Sequence, residues 1–138
     1  LYYSIYHPIQ LMTSRQCLFH QVTGCEKLTI DDACIPYCNK TSYITNMKNE
    51  TFIIEKSKGN HHCIYNDINY LNTDIITDFP DLFTGFLIDL RDIKTETKIE
   101  TDKPGVIGIF KNLLSGTLKM EPVQIIYPTT NAQYKKGI

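Results

Sequence analysis

The order of apolar and polar residues predicts β structure in the first half of the chain. The opening Leu1–Tyr6 is aromatic and β-branched, which is typical of a strand. Residues 51–56 and 62–65 are two further strand-like segments, and the turn-forming residues 58–60 between them predict a β-hairpin. Residues 17–38 follow no period and contain glycine and proline, so we expect irregular backbone there.

Beyond residue 66 the pattern changes to that of an α/β protein. Residues 86–90 are apolar except for Asp89, which predicts a buried strand, and strands of this kind favour parallel pairing. A helix is predicted over residues 104–114, because apolar residues recur there with helical spacing. Asp102 can cap this helix and Gly116 can end it.

Length and charge restrict the class of protein. The chain has 138 residues, with 14 Lys and Arg against 15 Asp and Glu, so its net charge is −1 and a broad nucleic-acid-binding face is disfavoured. No apolar run reaches the roughly 18–20 residues that cross a bilayer, and no signal peptide is visible. We therefore expect a cytoplasmic protein. Because the first residue is Leu1 and it already lies in a strand-like segment, we also expect a piece of a longer chain.

Five cysteines are the main chemical signal. Cys17, Cys25, Cys34 and Cys38 follow the pattern C-x7-C-x8-C-x3-C, and Cys63 lies in the predicted hairpin. Thiolates at this density are ligands for a soft metal, either a tetrahedral zinc or an iron–sulfur cluster. Disulfides and buried thiols are the alternatives, and a chain without an export signal disfavours the disulfides.

Histidines offer a second kind of chemistry. His7 ends the opening strand, a position where parallel-sheet enzymes place catalytic groups, and its alternative role is structural. His61 and His62 are adjacent on a predicted strand and must point to opposite faces. At most one of them can therefore join the neighbours of Cys63.

Several motifs occur in the order found in one family. In the segment Tyr6–Cys17, His7, Ser14 and Cys17 stand where the signature of peptidase family U32, the collagenase-like proteins, has its histidine, serine and last cysteine. The segments that continue the similarity are Cys34–Cys38, Cys63–Asp67, Phe79–Arg91 and Thr130–Gly137. The chain thus resembles U32 proteins over almost its whole length.

The resemblance implies an α/β fold, namely the later strands and helices of a (β/α) barrel. Residues 1–138 would be a single, incomplete fragment with a cysteine loop at 17–38, a β-hairpin region at 43–66 and an α/β portion at 67–138. The implied partner is the missing N-terminal half of the barrel, and an exposed sheet edge would invite a homodimer. We expect little activity from such a fragment alone.

The resemblance also implies where catalysis would occur. Barrels of this kind place their chemistry at the C-terminal ends of strands, which points to His7, Asp89 and Arg91. Arg91 can hold a phosphate or carboxylate with its planar guanidinium. Its alternative role is a salt bridge to Asp89 or Asp92.

The resemblance implies two functions, and a third hypothesis comes from another class of protein. The first is hydroxylation of an RNA base or quinone precursor that depends on a 4Fe-4S cluster, with Cys17, Cys34 and Cys38 as ligands and Cys63 as the fourth, or Cys25 in its place. The second is a metal-dependent peptidase, which is weakened because Tyr3 stands where the family has a glutamate. The third is a non-catalytic module in which zinc stiffens a substrate-binding segment.

Overall fold

The structure is a computed structural model that describes residues 1–18, 42–57, 61–117 and 121–137. The chain divides into two compact units. Unit 1 consists of Leu1–Pro8, Ile68–Asp92 and Glu96–Ile138, and unit 2 consists of Ile9–Asp67 and Ile93–Thr95.

Strands dominate the described residues. The ten strands, β1 to β10 in chain order, are Tyr2–His7, Gln10–Ser14, Ser42–Thr45, Thr51–Ser57, His61–Asn66, Asn69–Leu71, Gly85–Ile88, Lys98–Ile99, Ile126–Tyr127 and Thr129–Thr130. The helices α1 to α3 are Asp74–Asp78, Lys103–Ser115 and Ala132–Lys136, and a short 3-10 helix covers Pro122–Gln124.

Unit 1 is built on a four-stranded sheet in the order β10-β6-β1-β7. β1 is antiparallel to β6 and parallel to β7, while β8 and β9 form a separate antiparallel pair. The register shifts between Ser4 and Tyr6, so the consecutive residues Ile5 and Tyr6 are both buried in the core of this unit. Val106 and Phe110 of α2 are buried in the same core.

The predicted helix at residues 104–114 is confirmed by α2. The Asp102 side chain accepts a hydrogen bond from the Gly105 N–H at 2.8 Å and so caps its first turn. Gly116 ends the helix in the left-handed conformation, with φ of 71°. At 13 residues α2 is the longest helix in the described ranges, and none of those helices is long and apolar enough to span a bilayer.

Unit 2 contains an antiparallel sheet in the order β2-β5-β4-β3, and the pairing of β4 with β5 confirms the predicted hairpin. Successive residues of these strands point to opposite faces. Ile54 and Ile64 pack on one side, which we call the Ile54 face. Ile53, Cys63 and Tyr65 pack on the other side, which we call the Ile53 face.

The expectation of an α/β fold, with the later part of a (β/α) barrel, is wrong. The described residues form ten strands in three sheets, and two of the three α-helices have only five residues. Residues 85–88 do pair in parallel with β1, as the apolar run predicts, but Leu87 is exposed and no helix follows until Lys103. Most of the other strands pair antiparallel, and the described part of the chain forms no strand–helix repeat. The expected partner, the missing N-terminal half of the barrel, depended on the barrel expectation.

Candidate functional site

The structure describes two of the five candidate metal-binding cysteines. Cys17 and Cys63 are described, and Cys25, Cys34 and Cys38 lie outside the described residues. Cys17 follows β2, is half-buried and packs on the Ile54 face of the unit 2 sheet together with Leu18. It therefore lies where the chain leaves the sheet and enters the cysteine-rich segment.

Cys63 lies on the opposite side of the same sheet. It is 4% exposed, packs with Ile53 and Tyr65, and has its Sγ 3.7 Å from the Thr13 Oγ1. Zinc and iron hold thiolate sulfurs at about 2.3 Å, so two ligands of one centre must approach it from the same side of a sheet. Cys63 does not fit as a ligand of the centre that Cys17 would join.

His62 holds the backbone at Leu18, the residue that follows Cys17. The His62 side chain is 1% exposed, and its Nδ1 accepts a hydrogen bond from the Leu18 N–H at 2.9 Å and lies 3.2 Å from the Gln16 carbonyl oxygen. The Ser14 Oγ accepts a hydrogen bond from the Gln16 N–H at 3.1 Å, which turns the chain after β2. Sequence reasoning missed this contact, because His62 and Leu18 are 44 positions apart.

Burial keeps His62 neutral. Burial lowers the pKa of His62, the hydrogen bond to the Gln16 backbone raises it, and the charge of Lys56 lowers it further, with a net decrease. In the neutral ring an Nδ1 that accepts from Leu18 carries no proton, so the hydrogen is on Nε2 and the Gln16 carbonyl can accept only from a protonated Nδ1. The anchor of Cys17 is thus an uncharged acceptor in an apolar setting.

The three predicted catalytic residues all lie in unit 1, near the ends of β1 and β7. The Asp89 N–H donates to the Tyr6 carbonyl at 2.8 Å, which places Asp89 beside the end of β1. Asp89 and Arg91 form an ion pair with an Nη2–Oδ2 distance of 2.7 Å, and the Arg91 Nε donates to both carboxylate oxygens. This is the salt bridge that the sequence offers as the alternative role of Arg91.

Ser4 and Tyr70 orient His7. The His7 Nδ1 lies 2.9 Å from the Ser4 Oγ, and the His7 ring lies 4.9 Å from the Tyr70 ring between centroids. Residues three apart on a regular strand point to opposite faces, so the register shift after Ser4 is what allows this hydrogen bond. Ser4 at Nδ1 and the Tyr70 ring beside the imidazole together fix its orientation.

Electrostatics around His7 favour a neutral imidazole. Burial lowers the pKa of His7, the Asp89 carboxylate raises it and the Arg91 guanidinium lowers it, and the net shift is downward. Burial raises the pKa of the Asp89 carboxyl, but hydrogen bonds from Arg91 and its charge outweigh burial and hold the pKa below its usual range. A neutral imidazole beside a charged pair can accept a proton near neutral pH.

Comparison with known proteins assigns neither a family nor a function to the chain. The chain matches no protein-family model, no curated protein and no solved structure.

Replacing His62 tests its role as an anchor. His62→Ala leaves the Leu18 N–H without its acceptor, and we expect a loss of about 1–3 kcal/mol in the free energy of unfolding, measured by urea denaturation. The matched control is His61→Ala, which removes a ring whose buried Nδ1 has no hydrogen-bond partner within the described part of the chain. Equal losses in the two variants would contradict the anchor.

The lowered pKa of His7 makes stability depend on pH. Above the unfolded-state pKa of about 6.5 both states are neutral at this residue. As pH falls through that value the unfolded chain binds the proton first, so part of the stability is lost on acidification below about pH 7. His62 acts in the same direction, so the comparison is between the wild type and His7→Gln, whose denaturation midpoint should fall less over this range. Identical pH profiles of stability in the wild type and His7→Gln would contradict the lowered pKa of His7.

Proposed function

We propose that the cysteine-rich segment of this chain holds an iron–sulfur cluster and that the protein, like the U32 proteins it resembles, supports hydroxylation of an RNA base or a quinone precursor. The ligands in this proposal are Cys17, Cys34 and Cys38, with Cys25 as the fourth. The anchoring of Cys17 by His62 is the observation that carries the proposal.

A fixed Cys17 favours metal binding for a physical reason. A cluster needs several thiolates on one side, and each must be ordered at a cost in conformational entropy. The buried His62 contact and the packing of Leu18 on the Ile54 face already order the backbone at Cys17. Only the remaining ligands, all within 21 positions of Cys17, have to be brought to it.

The donor set also fits the proposed cofactor. Four thiolates are the ligand set of a 4Fe-4S cluster, and when bound such a cluster supplies electron transfer. The same four thiolates also suit zinc, the cofactor of the non-catalytic alternative. Because reduced thiols are needed in both cases, we place the protein in the cytoplasm.

The role we propose for unit 1 is proton transfer. Ser4 and Tyr70 orient the imidazole of His7, and its Nε2 would accept a proton from the substrate. Burial lowers the pKa of His7, and the opposite charges of the Asp89–Arg91 pair act on this pKa in opposite directions. The substrate stays a prediction and would be an RNA, a small molecule or a peptide. The homodimer, formed through the edge strand β7, also stays a prediction.

Cluster reconstitution with matched cysteine variants tests the proposal. Protein treated anaerobically with iron and sulfide should become brown and contain about four irons and four acid-labile sulfides per chain. Cys17→Ser should lose most of this iron and sulfide, because an anchored ligand is removed. Cys63→Ser is the control and should bind as much as the wild type, because Cys63 faces the other side of the sheet.

Three outcomes would contradict the proposal. A colourless protein with one tightly bound zinc would favour the zinc-stiffened module. Gelatin cleavage that stops when metal is chelated would favour the peptidase. Loss of the cluster in Cys63→Ser but not in Cys17→Ser would reverse the ligand assignment.

A further inference from the structure

Unit 1 contains an apolar cavity that neither the cysteines nor His7 use. Its volume is about 420 Å³. One wall is formed by Ile107, Phe110 and Leu114 of α2, whose spacing of three and four residues places them on one face of the helix. Ile5 of β1 and the apolar side chains of β7 and the residues after it form the opposite wall.

The cavity has the size and lining of a small-molecule site. Close-packed protein interiors hold few voids larger than a water molecule. Ligand pockets measure about 300–1,000 Å³ and are mainly apolar with a few placed polar groups. Ile107 and Leu114 are 40% and 49% exposed, so the cavity reaches the surface along α2 and a ligand can enter there.

Lys111 supplies the polar group. It lies four residues after Ile107 and three before Leu114, on the same helix face, and among the described lining residues it is the one charged side chain. Lys111 is exposed and makes no ion pair with another side chain in the described ranges. A lysine at the mouth of an apolar cavity extends its methylene stem along the apolar wall and keeps its ammonium in water.

We propose that this cavity binds a single-chain alkyl carboxylate, with the hydrocarbon chain inside and the carboxylate at Lys111. Of the eight lining residues in the described ranges seven are apolar, so the ligand must be mainly hydrocarbon. One lysine matches one negative charge, whereas a phosphate dianion would leave excess charge beside an apolar wall. The proposal does not depend on the iron–sulfur proposal, because it concerns only residues of unit 1.

Calorimetric titration of the full chain with octanoate, decanoate and dodecanoate, each below its micelle concentration, tests the site. Affinity should rise about fourfold for each added methylene until the cavity is filled. Decanol, which has the same chain without the charge, should bind more weakly than decanoate.

Variants test the contact with the carboxylate and the contact with the hydrocarbon chain separately. Lys111→Met keeps the apolar stem and should weaken decanoate binding about two- to fivefold while leaving decanol unchanged, and Lys103→Met at the start of α2 is the control that should change neither. Ile107→Trp should fill the cavity and abolish binding of both ligands with an unchanged circular dichroism spectrum. Absence of saturable binding to the wild type, or equal decanoate affinity in Lys111→Met and the wild type, would overturn the proposal.

Discussion

Side chains on a β-sheet alternate between its two faces, and in unit 2 this constraint decides which cysteines can meet. Cys63 and Ile64 are neighbours in β5, so they face opposite sides, and Cys17 packs on the side of Ile64. The sheet itself therefore separates the thiols of Cys17 and Cys63. A metal centre that includes Cys17 has to draw its other ligands from the Ile54 face.

A buried histidine, His62, fixes the position of the segment that contains Cys17. Placing His62 in the apolar interior costs free energy unless its ring nitrogens are hydrogen-bonded, and the Leu18 N–H meets part of this need. The same bond gives a partner to a backbone N–H that follows an irregular turn. The sheet and the segment after β2 are thus held together by one neutral imidazole.

Local sequence patterns predicted the hairpin and α2. They did not predict which strands pair across long distances in the sequence. The hairpin follows from two strand-like segments around a turn, and α2 follows from Asp102, Gly116 and helical spacing. The barrel came from the family resemblance and is wrong, because the pairing partners of strands far apart in sequence carry no local signal. The position of His7 and Asp89 at strand ends was expected, but the contacts of His7 with Ser4 and Tyr70 depend on a register shift that no sequence pattern reveals.

The separation of Cys17 from Cys63 is most directly measured by oxidation of a variant in which Cys25, Cys34 and Cys38 are replaced by serine. A disulfide requires Cβ atoms about 3.5–4.5 Å apart, which two residues on opposite faces of a sheet cannot reach. Mass spectrometry of the digested, oxidised monomer should find both thiols free, with a circular dichroism spectrum like that of the wild type. Rapid and complete formation of a Cys17–Cys63 disulfide in the folded monomer would contradict the account.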